Sequence, residues 1–426
     1  MSEAPDAASS FQKLGVEAVA RCDLFSRPPF SAEPGALTRL YLTRSHRAAL
    51  DQLTEWMTAI GMQVRSDQAA TLIGRYEGAV PGAKALLIGS HIDSVRNAGS
   101  YDGALGVMLG LSCVGHLVAT GRRLPFAIEL VVFGDEEGSR FHATMTGSCS
   151  MAGTLEPAAL THRDADGISV EQALRDFGLD PARISENARQ PGELLLYFEA
   201  HIEQGPVLEA LNLPVGVVLG IAAQVRLAVD LEGFASHAGT TPMEMRRDAL
   251  AAAAEAILLV EQIARGQKGL VGTVGTITVQ DGSGNVVPGK VRFSVDLRAP
   301  SAAGRDAAEE EFRTKLQAIA ERRGISSRIE TVQRLAPCVC NPQAVALLAD
   351  AVAAHGIAVT RMTSGAGHDA MSLAQIVPVA MLFIRCAGGI SHNPAEKVAL
   401  EDVAVAAATM LRFIDLLAAQ HSVAAD

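Results

Sequence analysis

Three short apolar runs, each followed at once by histidine or carboxylate side chains, constrain the fold of this chain more than any other feature. The runs are Ala85–Ile88, Phe126–Phe133 and Leu194–Phe198, and they lead into GSHIDS, GDEEG and EAHIEQG. Short apolar runs that stop at glycine and polar residues indicate buried strands of a mostly parallel, twisted sheet flanked by helices. Because ligands of open α/β sheets bind beyond the carboxyl ends of the strands, the sequence predicts an α/β fold with a metal site at that edge.

Length and composition limit the classes of protein that the chain can belong to. A chain of 426 residues exceeds one typical core, so we expect two domains. A net charge of −11 argues against nucleic acid or an anionic membrane as partner. The amino terminus lacks the pattern of a signal peptide, and no apolar stretch is long enough for a membrane span, so we expect a cytoplasmic protein. The six cysteines are scattered, and the C-x-C pair Cys338 and Cys340 lacks redox-motif spacing and is interpreted as structural.

The order of predicted elements indicates that one domain is inserted into another. Residues 1–220 and 336–426 alternate strands and helices, and include a strand at Pro378–Ile384 and a helix at Leu400–Leu417. Residues 221–335 follow the order βαββαβ, which predicts a ferredoxin-like α+β domain. Its predicted strands and helices are Val225–Phe234, Asp248–Arg265, Val271–Val279, Val291–Leu297, Ala303–Arg323 and Ser326–Thr331.

Histidine and carboxylate side chains supply the candidate metal ligands. His91 and Asp93 form H-x-D, and Asp102 follows in a Tyr-Asp-Gly turn before an apolar helix predicted at Gly103–Thr120. Imidazole and carboxylate groups suit Zn, Mn, Co or Ni, and Asp93 on an extended segment can orient the imidazole of His91. On these residues alone, metal binding and an ordinary turn remain alternatives.

The adjacent carboxylates Glu136 and Glu137 are more informative about a metal site than the H-x-D motif. They follow a long apolar run, and unpaired charge at a buried sheet edge is costly unless a cation is present. One carboxylate can then bind metal while its neighbour acts as the general base towards water. His201 and His392 are further candidates, since each follows an apolar strand.

Nine motifs along the chain carry a resemblance to a known family. In order, they are GSHIDSV, SYDGALGV, FGDEEGSRF, EAHIEQGP, SHAGTTPM, NVVPG, DLRAP, SGAGHDA and ISHNPAE. Together they resemble the M20-type metallopeptidase superfamily. Within it they are similar to the amidohydrolase/carbamoylase branch, which contains allantoate amidohydrolases, N-carbamoyl-L-amino acid hydrolases and β-ureidopropionases.

The resemblance implies two divalent metal ions per subunit, with zinc expected first and manganese, cobalt or nickel as alternatives. It implies that Asp102 bridges the ions, and that Glu136 is the general base. The remaining ligands that it implies are His91 and His201 for one ion and Glu137 and His392 for the other. In the true peptidases of the superfamily an acidic residue usually stands where this chain has His201.

For residues 221–335 the resemblance implies a lid that also forms a homodimer, with His237 reaching the partner's active site and stabilising negative charge on the substrate carbonyl. Arg298 and Asn285 are expected to hold the substrate carboxylate, because a guanidinium matches a carboxylate bidentately. Arg226 is a third candidate for substrate binding. Gln204 and His368 are candidate pocket walls, although His368 and Asp369 can instead form a structural pair.

The expected function is the metal-dependent hydrolysis of linear ureido (N-carbamoyl) acids, with release of ammonia and CO2. Allantoate and N-carbamoyl-L-amino acids both remain open as substrates, and Arg226 slightly favours allantoate, whose second ureido arm supplies another carbonyl acceptor. An aminoacylase or aminopeptidase is the alternative, against which His201 argues. A catalytically silent metal-binding dimerisation module is a further alternative, against which the intact set of ligands and Glu136 argue.

Overall fold

The computed structural model describes residues 7–423, which form two compact units. One unit comprises the described residues up to Leu219 and from Val339 onward, and the other is Gly220–Cys338. These divisions lie within three residues of the domain limits predicted at 220/221 and 335/336. Within the described part of the chain, no helix has the length and apolar character needed to cross a membrane.

The helices and strands are numbered here in chain order. The helices are α1 (Ala7–Phe25), α2 (Arg44–Ala59), α3 (Ala104–Ala119), α4 (Thr146–Ala152), α5 (Val170–Asp176), α6 (Val207–Leu211), α7 (Ala249–Gly266), α8 (Ala302–Arg323), α9 (Pro342–Ala353), α10 (Ala370–Leu373) and α11 (Leu400–Val423). The strands are β1 (Gln63–Ser66), β2 (Leu72–Tyr76), β3 (Ala85–His91), β4 (Ala127–Phe133), β5 (Leu194–Ile202), β6 (Val215–Ile221), β7 (Ala223–Glu232), β8 (Ser236–His237), β9 (Val271–Thr273), β10 (Ile277–Gln280), β11 (Val286–Val287), β12 (Lys290–Ala299), β13 (Ser326–Leu335), β14 (Cys338–Val339), β15 (Arg361–Ser364) and β16 (Val379–Ile384).

The first unit is built on a nine-stranded sheet in the order β1-β2-β4-β3-β5-β16-β6-β14, with β15 also paired to β6. The four central strands β4, β3, β5 and β16 are parallel, whereas β1, β2 and β6 run antiparallel to their neighbours. The sheet is therefore mixed, and the prediction of a mostly parallel sheet was wrong for its flanks. An apolar run indicates that a strand is buried on both faces of the sheet, but it does not indicate the direction in which the strand runs.

The central strands carry candidate ligands at their carboxyl ends. Strand β3 extends to His91 and β5 to Ile202, so His91 and His201 lie within strands rather than after them. Helix α3 begins two residues after Asp102 and packs against the central strands on one side and against α1 and α11 on the other. Packing on both sides buries nearly the whole helix.

The second unit is an antiparallel sheet in the order β10-β12-β7-β13, with β9 also paired to β12. Helices α7 and α8 share a buried apolar core with this sheet. The connection order β7-α7-β9/β10-β12-α8-β13 is the split βαβ arrangement expected from the sequence.

Two strand predictions in this unit were wrong in detail. The strand predicted at Val271–Val279 is broken into β9 and β10, because residues 274–276 lie opposite only two residues of β12 and form a bulge. The Thr276 N–H there donates to Ser294 Oγ. The strand predicted through Phe234 ends at Glu232, and the SHAG segment forms a separate strand, β8, paired with β11. The Phe234 N–H instead bonds to the carbonyl of Arg247.

Candidate metal centre

The carboxylate of Asp102 lies at the centre of three histidine rings in the first unit. Its Oδ1 is 3.1 Å from Nε2 of His201 and 3.6 Å from Nε2 of His91, and its Oδ2 is 3.2 Å from Nε2 of His392. Strands β3 and β5 supply two of the rings, and the loop after β16 supplies the third. The parallel strands thus bring together residues that are distant in sequence.

Two overlapping groups of side chains are spaced to hold a metal ion. One is His91, Asp102 and His201, and the other is Asp102, Glu137 and His392. A third group shares His91 with the adjacent pair Glu136 and Glu137. All five residues predicted as ligands are therefore in one cluster, and Asp102 is common to the first two groups.

The hydrogen bonds of the histidines test whether a cation fits between them. Nδ1 of His91 lies 3.1 Å from the Asp93 carbonyl oxygen, and Nδ1 of His201 lies 2.9 Å from the Ile202 carbonyl oxygen. Since a carbonyl only accepts, both Nδ1 atoms carry protons, and each ring in its neutral form directs an Nε2 lone pair at the Asp102 carboxylate. A lone pair facing a carboxylate is unfavourable unless the ring is protonated or a cation lies between, so these residues fit a divalent metal ion.

Glu137 provides a second indication that a cation fits in this cluster. Its Oε1 is buried without a hydrogen-bond partner and lies 3.5 Å from Nε2 of His392. Burial and the nearby Asp102 carboxylate raise the pKa of Glu137 to about 7. Hydrogen bonding to Asp102 raises the pKa of His392 to about 9. A cation in this position would stabilise the ionised carboxylates that burial disfavours.

Asp102 has the electrostatics of a strong anionic ligand. Burial opposes its ionisation, but hydrogen bonds from the protonated forms of His201, His392 and His91 hold its pKa well below the ordinary range. The next residue, Gly103, has a φ of +64° and lies so close to His91 that a Cβ atom would be 2.5 Å from the ring. Glycine is therefore required at the start of α3 for Asp102 and His91 to meet.

Glu136 lies beside the candidate ligand groups, and its surroundings differ from those of Glu137. It is only 9% exposed, and its Oε2 is 3.9 Å from Nε2 of His91. Burial, followed by the charges of Glu137 and Asp369 among other neighbours, raises the pKa of Glu136 well above its usual value. A carboxylate with raised proton affinity suits the general-base role predicted from the sequence.

Asp93 acts on the loop of the two glutamates rather than mainly on the imidazole. Its carboxylate accepts hydrogen bonds from the backbone N–H groups of Glu136 (3.2 Å) and Glu137 (3.3 Å). The contact with Nδ1 of His91 is made by the carbonyl of Asp93, while its carboxylate oxygen is 3.7 Å away. Asp93 therefore contacts both the His91 ring and the Glu136–Glu137 turn.

The two predicted pocket-wall residues of this unit both contact the ligand cluster. Gln204 donates from Nε2 to Asp102 Oδ2 at 2.8 Å. His368 is buried and packs edge-on against the His201 ring, with centroids 4.5 Å apart, and its Nε2 pairs with Ser364 Oγ. Burial and the charge of His201 lower the pKa of His368 well below its usual value. His368 thus packs against the ring of the candidate ligand His201, and its side-chain partner is Ser364 rather than Asp369.

The second unit holds the other predicted site residues in two places. Arg226 and Arg298 both bond to one carboxylate, that of Asp296, at 3.0 Å. His237 and Asn285 lie together where β8 pairs with β11, and the Ala238 N–H donates to the Asn285 carbonyl. Nδ1 of His237 accepts from the Gly239 N–H, so its Nε2 carries the proton of the neutral ring.

A comparison with known proteins shows which family the chain belongs to. The model of peptidase family M20/M25/M40 matches residues 87–416. The chain belongs to this family. It is 43% identical over 384 residues to the N-carbamoyl-L-amino acid amidohydrolase of Geobacillus stearothermophilus, covering 90% of this chain and 94% of that protein. It is 38% identical over 415 residues to the allantoate deiminase of Arabidopsis thaliana, covering 89% and 78%. A solved amidase of the hydantoinase/carbamoylase family from Burkholderia multivorans superposes with a TM-score of 0.87 at 32% identity, covering 95% of this chain and 97% of that one.

Three residues of this M20-family chain were missed by the sequence analysis. Ser391 and Glu396 flank His392 and bond to the Asp102 loop, and Asp296 holds the two arginines of the second unit. Ser391 and Glu396 are within the ISHNPAE motif, and Asp296 is within DLRAP. Their position inside motifs was the available signal, but the Asp102 loop and Arg226 lie far from them along the chain.

Proposed function

We propose that the protein is a dinuclear metal-dependent hydrolase of linear ureido acids, acting on allantoate or N-carbamoyl-L-amino acids. The observation that carries the proposal is the meeting of three imidazole Nε2 atoms at the Asp102 carboxylate, with Glu136 alongside. The names of the relatives support the substrate class, because both are enzymes of ureido compounds. Zinc is the expected metal, since these ligand types suit it, while manganese, cobalt and nickel remain alternatives.

The proposed reaction consumes one water molecule. When bound, the two ions supply Lewis-acid polarisation of the ureido carbonyl and favour ionisation of water. Glu136 accepts a proton from the attacking water and returns one to the departing nitrogen. The carbon–nitrogen bond of the ureido group breaks, and decomposition of the carbamate yields ammonia and CO2 along with the amine product.

The second unit is proposed to serve as lid and dimerisation domain. Arg298, Asn285 and Arg226 bind the substrate, with Arg298 and Asn285 at the carboxylate, and Gln204 lines the pocket. His237 acts in the active site of the partner subunit, where its ring N–H stabilises negative charge on the carbonyl oxygen. Support comes from the cluster of Arg226 and Arg298 around Asp296 and from the exposed His237 with its proton on Nε2.

A substrate panel tests the proposal. Ammonia release is measured with allantoate, ureidoglycolate and several N-carbamoyl-L-amino acids, and amine release with N-acetyl amino acids and dipeptides. We expect turnover of at least one ureido acid and at least 100-fold lower kcat/KM for the acetylated amino acids and peptides, about 2.7 kcal/mol in transition-state binding. Faster cleavage of an acetylated amino acid or a dipeptide would instead establish the aminoacylase or aminopeptidase alternative.

A further inference from the structure

A buried glutamate outside the ligand set connects the two loops that meet at Asp102. Glu396 is 3% exposed and lies four residues beyond His392. Its Oε1 accepts the backbone N–H of Tyr101 at 2.7 Å and that of Asp102 at 3.1 Å. Its Oε2 lies 3.1 Å from the hydroxyl of Ser391. One side chain therefore joins the β3–α3 loop to the loop after β16, across nearly 300 positions of sequence.

The hydroxyl of Ser391 extends this connection to the carboxylate of Asp102. Ser391 Oγ is 2.7 Å from Asp102 Oδ2, the oxygen that faces His392. Asp102 is thus held at both ends: Glu396 binds its backbone N–H, and Ser391 binds its side chain. This double attachment fixes the rotation of the carboxylate, so that Oδ1 faces His201 and Oδ2 faces His392.

Gly99 shows that the position of Glu396 is closely specified. It leaves the space that the carboxylate occupies, because a Cβ atom there would lie 2.3–2.5 Å from the side chain of Glu396. Burying a carboxyl group carries an electrostatic cost, which hydrogen bonds from the backbone N–H groups of Tyr101 and Asp102 offset.

We propose that Glu396 is a positioning residue that fixes the bridging carboxylate of Asp102 relative to His392, and that it does so through hydrogen-bond geometry. The inference rests on the proposed function, in which Asp102 bridges two ions. Loss of Glu396 leaves two backbone N–H groups without acceptors and releases the His392 loop. The group Asp102, Glu137 and His392 is then affected more than the group Asp102, His91 and His201, whose rings are held by strands.

Cobalt binding tests the proposal without relying on activity. Metal-free protein is titrated with Co²⁺ in competition with a chelator, and the two binding constants are read from d–d absorption. Glu396→Ala is expected to weaken the binding of one ion by 10- to 100-fold while changing that of the other by less than threefold, and the weakened ion should be the one that His392→Ala also weakens. Glu396→Gln is expected to restore binding to within threefold of wild type, since its amide oxygen still accepts both backbone N–H groups and its NH2 group can donate to Ser391.

Asp67→Ala is the matched control. Asp67 is also a buried carboxylate that accepts two backbone N–H bonds, from Ala69 and Thr71, in the turn between β1 and β2. We expect this variant to lose thermal stability but keep both cobalt affinities. If Glu396→Ala weakens cobalt binding no more than Asp67→Ala does, Glu396 is only structural and the proposal is wrong.

Two additional variants separate this outcome from a failure of the proposed function. Ser391→Ala removes the hydroxyl that contacts Asp102 Oδ2 and Glu396 Oε2 but keeps both backbone hydrogen bonds of Glu396, and it replaces Glu396→Ala if that variant does not fold. It is also expected to weaken the same ion selectively, and unchanged cobalt affinity would overturn the proposal. Asp102→Asn should abolish binding of two ions. If Asp102→Asn still binds two ions, the proposed dinuclear centre is wrong. If Asp102→Asn loses the ions while Glu396→Ala and Ser391→Ala bind cobalt normally, only the positioning role of Glu396 is rejected.

Discussion

Glu136 and Glu137 are neighbours in sequence with different surroundings. Glu137 has a buried oxygen without a hydrogen-bond partner that lies near His392, as expected of a metal ligand. Glu136 lies nearer to His91, and burial raises its pKa well above the usual value. The turn that separates the two side chains is held by Asp93, which accepts both of their backbone N–H groups.

Replacing each glutamate by glutamine should therefore give different defects. Glu136→Gln keeps the size of the side chain but removes the proton acceptor, so kcat should fall by about 10²–10⁴ with both metal ions retained. Glu137→Gln changes a ligand, so it should weaken metal binding first. Kinetics at saturating metal, together with metal analysis of each variant, distinguish the two effects. Equal loss of metal and activity in both variants would contradict this division of roles.

Arg226 and Arg298 both bond to the carboxylate of Asp296. A guanidinium fork fits a carboxylate bidentately, so Arg298 is the proposed anchor for the carboxylate of a ureido acid. Arg298→Lys keeps the charge and loses the planar fork, so KM should rise by about tenfold or more with a smaller change in kcat. Arg292→Lys is the control, since Arg292 lies on the same strand and pairs with Asp230. An unchanged KM in Arg298→Lys for every carboxylate substrate would exclude Arg298 from binding.

At the scale of elements, the site depends on how closely α3 approaches β5. A Cβ atom on Gly106 would lie 2.1 Å from the carbonyl oxygen of Ala200, directly before His201, whereas a Cβ atom on Gly115 would meet nothing within 4 Å. Both glycines are in the same helix. They therefore offer a matched pair in which the chemical change is identical and only the packing differs.

Gly106→Ala should lower the free energy of unfolding by about 1–3 kcal/mol, because α3 must move away from the sheet. Gly115→Ala should raise it by up to about 1 kcal/mol, because alanine favours a helix more than glycine does. Thermal unfolding of the metal-free proteins measures both effects. If both substitutions raised the free energy of unfolding, helix propensity rather than the contact with β5 would determine the outcome.

The sequence predicted the elements that have strong local patterns. The apolar runs before His91, Glu136 and His201 did mark the central parallel strands, and the alternating residues of β12 marked a half-buried strand. Strand direction at the flanks of the sheet and the bulge between β9 and β10 depend on pairing with distant strands, which no local pattern contains.

The same limit applies to the candidate site. The five ligand candidates could be predicted because histidine and carboxylate residues stand in recognisable motifs at strand ends. Glu396 could not be given a role from the sequence, since its partners Tyr101 and Asp102 are nearly 300 residues earlier. The contact of Asp296 with Arg226 was missed for a similar reason, because strand β7 supplies Arg226 from 70 positions away, whereas its contact with Arg298 spans only two residues.

At the scale of the whole molecule, the proposed dimer makes a prediction about mixed subunits. If His237 serves the partner's site, His237→Ala and Glu136→Gln should each be nearly inactive as homodimers. In a mixed dimer, one site carries both defects and the other carries neither. Mixing the variants under subunit exchange should therefore restore up to about half of the activity of a wild-type dimer per mixed dimer. Exchange that is verified by mass spectrometry but gives no recovery would show that His237 does not act across subunits.

The most direct test of the dinuclear centre is to measure metal content and ureido-acid hydrolysis in the same preparations. We predict two divalent ions per chain, loss of ammonia release on chelation, and recovery in proportion to the ions restored. His201→Ala and His392→Ala should each lose one ion preferentially, whereas Asp102→Asn should lose both, because Asp102 belongs to both ligand groups. Full hydrolysis of a ureido acid by protein that elemental analysis shows to be free of metal would contradict the account.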